Sequence, residues 1–100
     1  MAITLNKLAK KCEKMALEQG IITEQSSPQV LLYDISRHWR ELLDATNFAS
    51  LTLVGWNEKE DVAAELIVSA VTYLQRIGCT NIERLIKQKI EQLRNSQNIK

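Results

Sequence analysis

Three glycines and one proline are all that punctuate this 100-residue chain, so its backbone has few places to turn tightly. A sandwich of many short strands needs a turn signal about every 8–12 residues, and that scarcity excludes it in favour of long helices. Between the punctuation, apolar residues recur three and four apart. Leu5, Leu8, Ala9, Cys12, Met15 and Ala16 line one helical face, with Thr4 placed to cap its start and Gly20 to close it. Ser27 followed by Pro28 reads as an N-cap and a first helical residue, because proline's missing N–H would be unpaired there anyway. Leu31, Leu32, Ile35, Trp39, Leu42 and Leu43 then form a second stripe, which loses its period near Thr46 and Asn47.

Asn57 with Glu60 makes a capping-box pattern, and the helix it opens runs to a stop at Gly78. Its middle, from Val62 through Ala70 to Leu74, is apolar nearly all round, which predicts neighbours on several sides, a partner chain among them. Thr80 with Glu83 repeats the capping pattern ahead of the stripe Ile82, Leu85, Ile86, Ile90 and Leu93. Between the second and third helices, residues 48–56 lose the helical period and predict an ordered crossing. No internal repeat or shift in composition divides the chain. The expectation is one all-α domain over residues 1–100, four-helix bundle-like, with helices near 4–19, 28–46, 58–77 and 81–96. A chain this short buries a modest share of its surface alone, so a homo-oligomer, dimer or tetramer, is expected.

Thirteen Lys and Arg against twelve Asp and Glu give a net charge of +1, so no overall field draws the chain to nucleic acid or an anionic bilayer. No apolar run reaches the roughly 18 residues of a membrane span, and the N-terminal residues lack a signal-peptide pattern. These features predict a cytoplasmic protein with neither membrane nor nucleic acid as partner. Cys12 and Cys79 are too few for a disulfide framework or a thiolate metal site and read as buried, inert thiols. Lys7, Lys10, Lys11 and Lys14 read as a solvated stripe. There is no glycine-rich phosphate loop, His-Glu-x-x-His segment or nucleophile elbow.

A helical bundle builds polar sites from side chains that face inward on neighbouring helices, so the informative ionisable residues share a face with apolar ones. Asp34, His38 and Glu41 follow at intervals of four and three beside the second stripe, and Asp61 and Glu65 stand four apart on the third helix. Glu65 lies inside the apolar run, where an unpaired carboxylate would be costly. The plainer readings are a His38 hydrogen-bonded to Asp34, and ion pairs from Glu41 and Glu65 to Arg37, Arg40 or Arg76. Trp39 and Trp56 suit core or interface positions; of the two, Trp56, beside Gly55, is the better candidate to stack on a nucleobase.

The arrangement resembles the MazG-like all-α nucleoside triphosphate pyrophosphatases. Thr-Leu-Asn-Lys-Leu-Ala-Lys at 4–10 is similar to the family's opening helix, and Ile-Ser-Arg-His-Trp-Arg-Glu-Leu-Leu-Asp-Ala at 35–45 to the helix carrying its Glu-x-x-Glu motif. Residues 62–94 are similar to its Glu-x-x-Asp helix and last helix. The resemblance implies a dimeric or tetrameric bundle in which four carboxylates hold Mg²⁺ against the substrate's phosphates. Residue by residue, those carboxylates fall on His38, Glu41, Glu65 and Val68, so two of four are present. Lys89 matches a basic residue of the last helix, while an asparagine common near its end falls on Leu93. The implied site is therefore Glu41 and Glu65 for Mg²⁺, with Asp61, Asp34 and His38 as secondary ligands and Lys89 and Trp56 as nucleotide contacts. Two functions follow as alternatives: a pyrophosphohydrolase-family protein with a degenerate Mg²⁺ site and weak or absent hydrolysis of nucleoside triphosphates, or a non-catalytic helical oligomerisation module.

Overall fold

The computed structural model describes residues 4–98, which form α1 (Leu5–Glu18), α2 (Gln29–Asp44), α3 (Glu58–Arg76) and α4 (Ile82–Asn98). The fold is all-α and four-helix bundle-like, and among the described residues no helix is long and apolar enough to cross a membrane. Thr4 caps α1 as its position suggests, its hydroxyl accepting the Lys7 N–H at 3.2 Å. Gly20, at φ +73°, takes the left-handed conformation that lets the chain leave that helix. At α3 the capping box is complete: Asn57 Oδ1 accepts the Glu60 N–H at 2.8 Å, and Glu60 Oε1 accepts the Asn57 N–H at 3.0 Å. Three acidic residues in that first turn also suit the positive end of the helix dipole.

Two helix starts differ from their sequence reading. Pro28 precedes α2 instead of opening it, and the Ser27 hydroxyl accepts the Gln29 N–H at 3.3 Å. At α4, Thr80 and Glu83 do not form the capping pair. Asn81 Oδ1 accepts the Arg84 N–H, and Asn6, reaching across from α1, accepts both the Ile82 and Glu83 N–H groups at 2.8 and 3.2 Å. Glu83 turns the other way and accepts the Asn6 N–H at 3.2 Å. A tertiary partner has taken the role that a local pattern suggested, because α1 lies close enough to satisfy the free donors of α4.

Helix α3 is the hub, packed against α1 and α2 and against the start of α4. One core cluster joins Ala9, Val71 and Ile82, with Leu5, Cys12, Leu74 and Cys79 around it; a second joins Ala16, Ile22 and Leu31, with Leu17 and Tyr73. Both cysteines are free and half-buried, less enclosed than the sequence suggested. Burial raises the Cys12 thiol above its ordinary pKa despite a hydrogen bond with Thr72 that acts the other way, which suits an inert thiol. Arg76 fastens the α1–α2 connection, pairing with Glu13 at 3.2 Å and donating to the carbonyls of Thr23 and Glu24.

The apolar stripes are broader than the core they feed. On α2, Leu31 is buried while Leu32, Trp39 and Leu43 face outward, so the stripe splits into an inner and an outer lane. On α3 the apolar circumference is answered mostly by helices of the same chain, and Ile67 is left exposed. Among the described side chains of α4 only Ile82 enters the core, and residues 84–95 are all exposed. This projecting helix accords with a radius of gyration of 15.4 Å, above the roughly 13 Å of a compact domain of this length.

Candidate functional site

Positions 34, 38 and 41 on α2 and 65 and 69 on α3 are spaced by three and four, which aligns each set along one helix face. Where α2 packs on α3, these faces meet. His38 is buried at 8% exposure, inside the seam. Its Nδ1 stands 3.1 Å from Glu65 Oε2 and 3.7 Å from Glu41 Oε2, and its Nε2 stands 3.3 Å from Asp34 Oδ2. One donor atom from each of His38, Glu41 and Glu65 lies within 4.8 Å of the others. Glu65 therefore does face Glu41 across a shared cleft, and burial of the apolar run does not trap it, since its side chain keeps 45% exposure.

Asp34 supports this group without joining it. Its Oδ2 accepts from the Ser69 hydroxyl at 2.7 Å and its Oδ1 from Arg37 at 2.7 Å, so both oxygens are engaged while one faces the imidazole. Arg37 also approaches Glu41, with Nε 3.8 Å from Oε1, a long contact at the exposed edge. Arg76, another of the three arginines the sequence offered for pairing a glutamate here, is committed to Glu13 instead.

Asp61 is brought near but is occupied. Ser50 and Thr52, in the crossing, donate to its Oδ2 at 2.5 and 2.7 Å, and these bonds, Ser50's above all, hold its carboxyl below its ordinary pKa. The same Ser50 hydroxyl accepts the Thr52 and Leu53 N–H groups. With the Ser50 N–H on the Trp56 carbonyl and the Glu58 N–H on the Phe48 carbonyl, this makes the crossing an ordered flap over the start of α3. The flap roofs a cavity of about 460 Å³ walled by Glu41, Glu58, Asp61 and Glu65 together with Phe48 and Leu51. A second cavity, of about 370 Å³, shares Asp61 and Glu65 with the first, and in its wall Val68 contributes only methyl groups beside His38, Asp34 and Ser69.

Two sequence candidates do not reach this place. Lys89 lies on the projecting part of α4, which makes no contact with α2 among the described residues, and its ammonium donates to Gln92 at 2.7 Å. Trp56 is half exposed and is absent from the cavity walls; Phe48, which the sequence reading passed over, holds the aromatic position there. Ser50, Thr52 and Ser69 were also missed. Ser69 had a signal, standing four residues after Glu65 on the same face, whereas the crossing hydroxyls had none until the loop closed on Asp61.

Mg²⁺, the ion implied by the family resemblance, does not fit this donor set. It demands octahedral oxygen coordination, and here an imidazole nitrogen occupies the middle of the group while Val68 offers no ligand. Comparison with protein-family models, with curated proteins and with solved structures finds no match for the chain.

Proposed function

We propose that this chain is a MazG-like domain that binds nucleoside triphosphates through a divalent ion held by Glu41 and Glu65, and that it hydrolyses them weakly or not at all. The observation that carries the reading is the convergence of those two carboxylates from separate helices onto one cavity. Two like charges within 4.8 Å repel by roughly 1 to 3 kcal/mol between aqueous and protein-like dielectrics, a cost that a bound cation removes. Among the described residues the cavity walls carry four carboxylates and neither lysine nor arginine, so a polyphosphate would enter together with cations. The volume suits a small ligand. Weak hydrolysis follows from the two positions that hold His38 and Val68, since fewer carboxylates means less cationic charge to stabilise the reacting phosphates.

Calorimetric titration with nucleoside triphosphates in the presence of Mn²⁺, with Mg²⁺ as the comparison and pyrophosphate release followed in parallel, tests this reading. Saturable, metal-dependent binding that vanishes in Glu65→Ala, with little turnover, is the expected result. The double variant His38→Glu with Val68→Asp should gain Mg²⁺ affinity; if it folds and still ignores Mg²⁺, the family placement of the site is wrong. Absence of both binding and turnover in the unaltered chain would leave the second reading, an oligomerisation module. That reading is favoured by the uncovered stripe of Ile86, Ile90 and Leu93 on α4, which a second copy of the chain would bury in a homo-oligomer.

A further inference from the structure

We infer that the ion taken by this site is one that accepts imidazole nitrogen, with Zn²⁺ as the best fit, and that His38 Nδ1 is its nitrogen ligand. This rests on the divalent-cation reading above and adds the chemical class of the ion. The acidic pair alone would not carry it; the imidazole does. The His38 side chain is nine-tenths buried, and among the described residues its Nδ1 has no hydrogen-bond partner despite lying 3.1 Å from Glu65 Oε2. That oxygen sits off the nitrogen's donor direction, so the contact leaves a buried polar atom unsatisfied, a condition native interiors seldom tolerate without an ion or water.

The second nitrogen has a carboxylate of its own. Nε2 faces Asp34 Oδ2 at 3.3 Å, so with the ring proton on Nε2 the Nδ1 lone pair is left for an ion between the glutamates. Asp34 is itself fixed by Ser69 and Arg37, each at 2.7 Å. A carboxylate behind a histidine whose other nitrogen meets the ion is the usual second layer of a zinc or related centre, and it sets both ring orientation and basicity. Asp34 is on this account a positioning residue.

Two of the three spacings agree. Donors about 2.1 Å from a tetrahedral ion stand about 3.4 Å from one another; the observed 3.1 and 3.7 Å from Nδ1 to the two glutamate oxygens bracket that value, and all three donors lie within 4.8 Å, so the glutamate oxygens would draw together around the ion. One imidazole and two carboxylates leave a fourth position open, and all three side chains line the two cavities, as in zinc sites that accept an outside oxygen ligand. Phosphate oxygen is the ligand the proposed function would put there.

His38 is the sole histidine of the chain, so its imidazole gives one unambiguous signal. The full chain should be titrated with Zn²⁺ and, separately, with Mg²⁺, following heat and the ¹⁵N resonances of that ring. Zn²⁺ should bind one to one, on the order of 100-fold or more tighter than Mg²⁺, and shift Nδ1 much more than Nε2. His38→Gln should weaken Zn²⁺ by about 10- to 100-fold and leave Mg²⁺ unchanged, and Asp34→Asn should weaken Zn²⁺ by about 10-fold. Since His38→Gln alters a buried position, the unaltered chain's ring signal stands as an independent readout. Zn²⁺ binding that leaves the ring nitrogens unmoved, through the half-buried thiols for instance, would overturn the inference. Mg²⁺ binding as tight as Zn²⁺ would overturn it while sparing the proposed function. Failure of every divalent ion to bind would end both.

Discussion

Helix α3 presents two seams of opposite chemistry. Toward α1 and the start of α4 it packs Val71 and Leu74 against Ala9, Leu5 and Ile82, a dry contact with the Asn6 cap at its edge. Toward α2 it sets Glu65 and Ser69 against Asp34, His38 and Glu41. The first seam gains from removing apolar surface from water, and any loss of volume there is felt at once. The second gathers charge in one place at some electrostatic cost, which is how binding sites commonly differ from scaffold. A helix hub allows both because its faces are separate in angle: residues 71 and 74 point one way, and 65 and 69 another.

The comparison breaks most easily on the dry side. Ile82→Ala should destabilise the chain by about 2–5 kcal/mol in chemical denaturation, since Ile82 is only 1% exposed and ties α4 to the core; a loss below about 1 kcal/mol would mean that the seam is not what holds α4. Asn6→Ala follows at roughly 1–2 kcal/mol, because two α4 N–H groups lose their acceptor. Selective loss of amide-exchange protection at Ile82 and Glu83 should accompany it.

On the polar side the expected sign differs. Glu65→Gln should change stability by less than about 1 kcal/mol, its charge being half exposed and beside another carboxylate, yet divalent-ion binding should disappear. A large stability loss without an effect on binding would mean that the seam is structural after all. The smallest effect belongs to the flap. The folded Asp61 carboxyl titrates below its unfolded value near 3.8, so in the window between the two the unfolded chain binds more protons. The contribution of Asp61 is therefore complete above that value and is lost as acid carries the pH down through the folded pKa. In a Trp39→Phe background, Trp56 fluorescence should report this loosening, and Asp61→Asn should flatten that dependence.

The chain's helices were legible because their signals are local: a three-and-four period, caps at Thr4 and Asn57, and a glycine at each of positions 20 and 78. The site was half legible for the same reason. Spacing alone put Asp34, His38 and Glu41 on one face, and Glu65 stood out as a charge in an apolar run. What could not be read were relations between elements. Asn6 capping α4, Ser50 and Thr52 closing on Asp61, and Arg76 choosing Glu13 each join residues far apart in sequence or across a loop whose path no period encodes. The misplacement of Lys89 has a related origin. The stripe of α4 fits a packed helix equally well whether its partner is this chain or another, so periodicity alone could not show that α4 leaves the bundle beyond Glu83.

Anomalous diffraction from a crystal grown with Zn²⁺, collected on both sides of the zinc absorption edge, tests the central claim most directly. One strong peak between His38 Nδ1 and the carboxylates of Glu41 and Glu65, at bonding distance from all three, is the predicted result. Peaks confined to the cysteines or to the outer surface, with the imidazole still 3.1 Å from Glu65 and nothing between them, would contradict it.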